Sequence, residues 1–326
     1  MIERWVAVAP GSALTFCAAS EPPLGPDDLL VAVEAAVIGA PEAHALDIGR
    51  PVAPGGAAVG RVARAGAAAE HRIGERVLVG PVRSCFECDV CRRGHPSVCP
   101  ARLRLGIDAD GALASHVVVR ARATTGLTGK LEGAVPGPLA ALLPREAALA
   151  YEMVVRAGLS PGEVAIWVGG GAIAELGAQI ARAKGVTTHH LTADERALPP
   201  DECAAAVRAR IAGTTPRVVF EVSARGAGRA RAAALAGPGM VLVLLAGAAA
   251  GANDSPPLPA ALLDDDVTCV GVAGAHPDLL PELCALAARG EIDLAGAADL
   301  RSWTDVPAAI AELRTGRAGT IVVARG

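Results

Sequence analysis

Val164-Ala165-Ile166-Trp167-Val168-Gly169-Gly170-Gly171-Ala172-Ile173-Ala174 is the stretch on which the fold turns. Five apolar residues in a row, without polar alternation, read as a strand buried on both faces. Gly169, Gly171 and Ala174 then fit G-x-G-x-x-A where a helix pattern opens, running from Ala172 to Lys184 with Gly185 as its stop. In this setting Gly169 permits a tight turn and Gly171 lets the backbone approach a pyrophosphate. Ala174 permits close helix–strand packing, and Ala172 and Ile173 begin a helix whose N-terminus faces the phosphates. The same spacing alone marks only a tight turn, so the strand before it and the helix after it carry the reading.

Working outward, strand and helix patterns alternate. Strands are expected at His189–Leu191, Val218–Phe220, Met240–Leu245 and Val267–Val272, and helices at Pro144–Arg156, Asp201–Ile211 and Ala227–Leu235. Continuous apolar strands between helices predict an α/β fold, a Rossmann doubly wound parallel sheet. The N-terminal part differs. Short strand patterns at Leu30–Val33, Val59–Val62, Arg76–Val79 and His116–Val119, spaced by Pro and Gly, predict a barrel-like β domain. Residues 1–135 are assigned to that domain, with a cysteine loop at 80–104, and residues 136–285 to the dinucleotide-binding domain. The tail, 286–326, carries one helix pattern (Asp305–Leu313) and one strand pattern (Thr320–Val323), and is expected to return to the first domain.

Composition narrows the function. The chain has 326 residues, 52% of them hydrophobic, so a large core can be buried. Aromatics make up only 2%, which disfavours a pocket built on stacking. Net charge is −4 and the Lys and Arg residues form no block, which argues against a nucleic-acid or polybasic membrane partner. Met1–Pro10 reads as a strand rather than a leader. No apolar stretch reaches spanning length, because Gly237-Pro238-Gly239 breaks the nearest one, Ala232–Gly251. A cytoplasmic protein is expected.

Four of the eight cysteines crowd together as Cys85, Cys88, Cys91 and Cys99, spaced C-x2-C-x2-C-x7-C. Short gaps can place three thiolates around one tetrahedral ion, and the longer arm brings the fourth. Four protein ligands close the sphere against water and substrate, so the site is structural: one Zn2+ per chain. An iron–sulfur cluster also takes four thiolates, and only the flanking residues decide between them.

Those flanks resemble the medium-chain dehydrogenase/reductase superfamily, the zinc alcohol dehydrogenase-like proteins. The residues are Gly74-Glu75-Arg76-Val77, Cys91-Arg92-Arg93-Gly94 and the run Asp110 to Val119. Trp5, Pro10-Gly11, Leu14, Ala114-Ser115-His116, Val219–Ser223, Pro277 and Leu279-Leu280-Pro281 look most like the 6-hydroxycyclohex-1-ene-1-carbonyl-CoA dehydrogenase branch. The resemblance implies a GroES-like catalytic domain, a homodimer and a small-molecule substrate, with a CoA thioester suggested by the branch.

The resemblance also exposes a loss. The family's catalytic zinc takes a Cys after an early strand, a His-Glu pair after Pro-Gly, and a Cys or acid ahead of the dinucleotide domain. Here the first position falls on Gly39 and the second motif reads Pro54-Gly55-Gly56-Ala57. The third falls near Pro144–Glu146, which has no Cys. Glycine and alanine offer no donor atom, so the usual ion cannot be held. The chain also looks trimmed, with only nine residues between His44 and Pro54. By position His44 matches a proton-relay histidine, and Glu42 and Glu146 could fill the vacated place or be solvated. Tyr151, the only Tyr, matches a family tyrosine and equally suits a packing role. The ribose-bonding position falls on Thr192, not an acid. Arg196 could approach a 2′-phosphate, which leans to NADPH over NADH, and Asp194 blurs that reading.

These residues predict a zinc-independent NAD(P)H-dependent reductase of an activated C=C bond, with a small unsaturated acyl-CoA such as 3,3-dimethylacrylyl-CoA as the substrate class. Without a Lewis acid, carbonyl–alcohol interconversion loses its main electrophile, whereas conjugate addition forms an enolate its own carbonyl already stabilises. A quinone reductase and a non-catalytic partner subunit are the alternatives.

Overall fold

The computed structural model describes residues 1–49, 52–128, 132–133, 135, 137–246, 258–316 and 319–326. The chain forms two compact units, Met1–Ala148 with Gly274–Gly326, and Leu149–Ala273. Sequence patterning places those divisions at 135/136 and 285/286. The segment before Ala148 stays with the first unit because Arg145 is tied to Glu42 there.

The first unit opens with an antiparallel pair, β1 (Ile2–Ala7) and β2 (Leu14–Ala19). Its main sheet is built on β3 (Asp28–Ile38), β4 (Ala57–Ala65) and β5 (Arg76–Val79). Two short strands, β6 (Val82–Arg83) and β7 (Leu103–Arg104), pair at the base of the cysteine loop. Next come β8 (His116–Arg120) and β9 (Thr124–Gly126). β3 is unusually apolar because β4, β8 and a C-terminal strand all pair with it, burying Leu29, Val31, Val33, Val37 and Ile38. Burying each such side chain contributes roughly 1.5–3 kcal/mol.

The second unit carries β10 (Val164–Val168), β11 (Thr187–His190), β12 (Pro216–Glu221), β13 (Val241–Leu245) and β14 (Thr268–Val272). They form one all-parallel sheet in the order β11-β10-β12-β13-β14. Helices at Ala172–Ala183, Pro200–Arg210 and Gly226–Leu235 connect the strands. The all-parallel sheet with helical connections is the expected fold class.

The tail supplies β15 (Asp299–Ser302) and β16 (Ile321–Ala324), and β16 pairs antiparallel with β3. Among the described residues, no helix is long and apolar enough to cross a membrane.

Two departures bear on the site. The expected helix Pro144–Arg156 begins instead with a single π turn, Leu143–Ala147, and only Ala148–Arg156 is α-helical. π turns of this kind recur at functional sites, and this one carries Arg145 and Glu146. A helix not foreseen, Ala40–Asp47, follows β3 directly. Its alanine-rich faces give almost no periodic signal.

Candidate functional site

The dinucleotide turn lies in the second unit. Gly169 and Gly171 have φ of +124° and +82°, conformations that L side chains rarely adopt. A Cβ on Gly169 would lie 2.8 Å from the Ser223 backbone nitrogen, so the turn is pressed against the loop after β12. A Cβ on Gly171 would meet nothing within 4 Å. That open space stands at the N-terminus of the helix Ala172–Ala183. Backbone can approach a pyrophosphate there, and the helix end favours its charge. The residues therefore fit a dinucleotide. Ala174 is buried, as close helix–strand packing requires, and Ile173 is half-buried.

Beneath the turn, Glu221 Oε1 accepts the N–H groups of Ser223 (2.7 Å) and Ala224 (3.1 Å) and the Ser223 hydroxyl. Burial pushes its carboxyl above the usual range, against these donors. Glu221 thus holds the loop that faces Gly169.

The ribose position is occupied with local work. Thr192 caps the short helix Ala193–Ala197, its hydroxyl accepting from the Glu195 N–H at 3.2 Å. Arg196 donates to the Leu191 carbonyl at 2.6 Å. Arg210, which sequence reasoning passed over, pairs with Glu195 at 2.7 Å and donates to the His190 carbonyl. Burial opposes the charge on Glu195, yet Arg210 and Thr192 hold its carboxyl below the usual range.

Tyr151 also belongs to this unit. It is buried, and its hydroxyl accepts from Lys184 Nζ at 3.2 Å, with the ammonium 4.8 Å from the ring centre.

The thiolate loop lies in the first unit. Cys85, Cys88, Cys91 and Cys99 bring their sulfur atoms within 4.8 Å of one another. Closest spacings are 3.5 Å for Cys85–Cys99 and 3.9 Å for Cys85–Cys91 and Cys88–Cys99. Zn–S bonds of about 2.3 Å in a tetrahedron require sulfurs about 3.8 Å apart, so the four side chains fit zinc. Phe86, at φ +61°, makes the knuckle, and the Cys88 N–H donates to Cys85 Sγ at 3.4 Å. Backbone N–H groups of Glu87 and Cys88 hold the Cys85 thiol down at about 6. Burial pushes Cys91 up to about 12, a cost that a bound cation offsets. His95 is exposed, outside the ligand set.

The vacated metal place is also in the first unit, and it is filled. Glu42 lies on the helix Ala40–Asp47 and Arg145 on the π turn. Arg145 Nη1 donates to Glu42 Oε1 at 2.9 Å and approaches the Val37 carbonyl at 3.4 Å. Its Nε lies 2.8 Å from Glu146 Oε1. Glu42 Oε2 accepts the Gly39 N–H at 2.8 Å, so one carboxylate fixes both the helix start and the guanidinium. A Cβ on Gly39 would lie 2.7 Å from Arg145 Nη2. One on Gly56 would lie 2.4 Å from Glu42 Oε1 and 3.0 Å from Arg145 Nη1. The guanidinium therefore stands where side chains from two missing zinc ligands would converge. A catalytic zinc does not fit these residues, and no step is derived through one.

Both carboxylates are almost fully buried, and the Arg145 side chain is 14% exposed. Burial pushes the Glu146 carboxyl above its usual range, opposed by Arg145. Burial disfavours the Arg145 charge, but Glu146 and Glu42 outweigh it and raise its pKa. Glu146 Oε2 is buried without a partner among the described residues. His44 sits on the same helix as Glu42, half-buried. Arg145 was missed from sequence, although it lies inside the Pro144–Glu146 segment where a third ligand was sought.

Comparison with known proteins places this geometry. The alcohol dehydrogenase GroES-like domain family matches residues 25–128. The protein named Probable alcohol dehydrogenase AdhA of Mycobacterium tuberculosis is 32% identical over 184 residues. That match covers 53% of this chain, and the chain spans about half of that relative, 52% of its length. Alcohol dehydrogenase TADH from Thermus sp. ATN1 superposes with a TM-score of 0.86 at 18% identity, covering 99% of this chain and 100% of that one. A short chain alcohol dehydrogenase from Escherichia coli CFT073, complexed with NADH, gives 0.83 at 19% identity over 99% of both chains. At these identities the two structures establish the fold alone. Residues 25–128 thus match the alcohol dehydrogenase GroES-like domain family, and the chain as a whole, with its parallel dinucleotide sheet, has the fold of alcohol dehydrogenases.

Proposed function

We propose that the chain is a zinc-independent, NAD(P)H-dependent reductase of an activated C=C bond. The observation that carries this reading is the guanidinium of Arg145 standing between Gly39 and Gly56, where a catalytic ion would be held. A metal dehydrogenase needs a Lewis acid to polarise an alcohol or ketone oxygen. Conjugate reduction of a thioester needs only an acceptor for hydride and a modest stabiliser for the enolate oxygen. The acyl-CoA class rests on the branch resemblance, with 3,3-dimethylacrylyl-CoA as the working substrate. His44 is assigned as the acid that protonates the α carbon. A reduced nicotinamide, bound at Gly169–Ala174, supplies hydride. The coenzyme is NADPH or NADH: Arg196 favours a 2′-phosphate, whereas Asp194 and the Glu195 carboxylate, which accepts the Thr192 N–H at 2.8 Å, oppose one. The working assembly is a cytoplasmic homodimer with one structural zinc per chain.

The test is turnover with NADPH and NADH, a chelator present, against crotonyl-CoA, quinones, aldehydes and simple alcohols. Reduction of crotonyl-CoA alone is the expected result. Chelator-sensitive alcohol oxidation would overturn the reading, and quinone reduction alone would move it to the quinone reductase. Cofactor binding without turnover on any acceptor would favour a non-catalytic partner subunit. Gly171→Asp places a side chain and a negative charge in the open space above the turn. Nicotinamide affinity is expected to fall roughly 100-fold, since like-charge contacts cost several kcal/mol. Fluorescence titration reads this, and unchanged affinity would show that the dinucleotide binds elsewhere.

A further inference from the structure

We infer that Arg145 is the electrophile of the site: its guanidinium, through the Nη2 edge, binds the substrate's developing oxyanion in the place a metal ion would occupy. Three features of the cluster lead there. Arg145 spends Nη1 on Glu42 and Nε on Glu146. Nη2 finds no acceptor among the described residues, and none of the guanidinium nitrogens is a buried orphan. The side chain keeps 14% of its surface open, so a donor edge remains for an incoming oxygen.

The remaining contacts fix the direction of that edge. Glu42 is anchored by the Gly39 N–H at 2.8 Å and grips Nη1 at 2.9 Å. Glu146 grips Nε at 2.8 Å from the same π turn. A planar fork held on two sides cannot rotate without breaking both pairs. Glu42 and Glu146 are therefore positioning residues, and of these three side chains only Arg145 touches the substrate. Side chains at 39 and 56 would collide with this arrangement, so the two glycines and the arginine form one device.

This role rests on the reductase reading proposed above. In that reading a bound reduced nicotinamide would supply hydride to the β carbon of the enoyl thioester. The C=C electron pair moves to the carbonyl oxygen, giving an enolate that accepts an N–H from Arg145. The α carbon then takes a proton from His44, which water re-protonates. Arg145 stays protonated throughout, as its raised pKa requires.

Acetoacetyl-CoA, whose enolate has its own ultraviolet band, reads the contact without cofactor or turnover. Its enolisation on the wild-type protein is expected at a pH about 2 units below that on Arg145→Met, the shift a close opposite charge gives. Arg145→Lys, which keeps charge but loses the fork, is expected between them and serves if the methionine variant does not fold. Turnover of crotonyl-CoA by Arg145→Met should fall roughly 100-fold or more at unchanged cofactor affinity, as for loss of an oxyanion donor. Identical enolate titrations in wild type and variants would overturn the role of Arg145, even if wild type reduces crotonyl-CoA. A shifted enolate band with no turnover on any acceptor would uphold the anion site while removing the reductase reading.

Discussion

In the Cys85–Cys99 loop, four sulfur atoms lie within 4.8 Å of one another, an arrangement that fits a cation. Beside Gly39 and Gly56, two buried carboxylates converge instead on a cation that the chain itself provides. Both places answer the same electrostatic demand, since buried anions need a positive partner. They answer it with opposite consequences. In the proposed reading the loop would take its ion from solution, and a closed four-thiolate set would leave no position for substrate. The arginine site needs nothing from solution, so its fork is part of the fold.

The comparison can be broken at several points, in descending order of effect. Cys88→Ser removes a thiolate from the loop, which should then release its metal. Loss of a structural metal belongs among the largest single-site effects, about 5 kcal/mol. Chemical denaturation should show it, and a stability equal to wild type would show that the loop is not held by an ion.

Arg145→Met leaves Glu42 and Glu146 buried without their cation. Removing one partner of a buried pair costs about 3–5 kcal/mol. The penalty depends on pH, and its sign follows from Glu146. That carboxyl is already raised in the folded wild type by burial, so the folded state binds its proton more tightly than the unfolded chain. Its favourable contribution is full below the unfolded pKa and is lost as pH rises through the folded one. Without Arg145 the folded pKa climbs further, so the variant should be closer to wild type at mildly acidic pH than at pH about 8. A penalty independent of pH would contradict the pairing.

Glu146→Gln should have the smallest effect. It removes the raised carboxyl but keeps an amide oxygen for Arg145 Nε, so stability at neutral pH should change by about 1 kcal/mol or less. The pH dependence should flatten. A loss as large as that of Arg145→Met would mean that Glu146 is the charge Arg145 chiefly serves.

How much of this was legible in the sequence follows from range. The thiolate loop is local: its ligands span Cys85 to Cys99, so spacing marks a four-thiolate site and the flanking residues choose zinc over an iron–sulfur cluster. The dinucleotide turn is equally local, with Gly169, Gly171 and Ala174 inside one strand–turn–helix unit. The loss at Gly39, Gly56 and Ala57 was legible because missing donor atoms need no geometry. What fills the gap was not. Arg145 reaches Glu42 across 103 positions, and only the π turn at Leu143–Ala147 aims it there. An expected α-helix over Pro144–Arg156 gives the wrong direction for that side chain. Thr192 and Arg196 show the opposite limit. Their positions were read by analogy with a ribose site, while the cap on Glu195 and the bond to the Leu191 carbonyl are decided by the local turn. The helix Ala40–Asp47 went unseen because alanine on several faces erases the 3.6-residue rhythm.

The division of labour between the two cation sites is tested most directly by metal content. Protein purified without chelator, in wild-type form and as Cys88→Ser, is analysed for zinc by elemental analysis. The expected result is close to one zinc per wild-type chain and close to none in the variant. A reproducible value near two in wild type, or one zinc persisting in Cys88→Ser, would contradict the proposal that the four thiolates hold one metal and that Arg145 stands in place of a second.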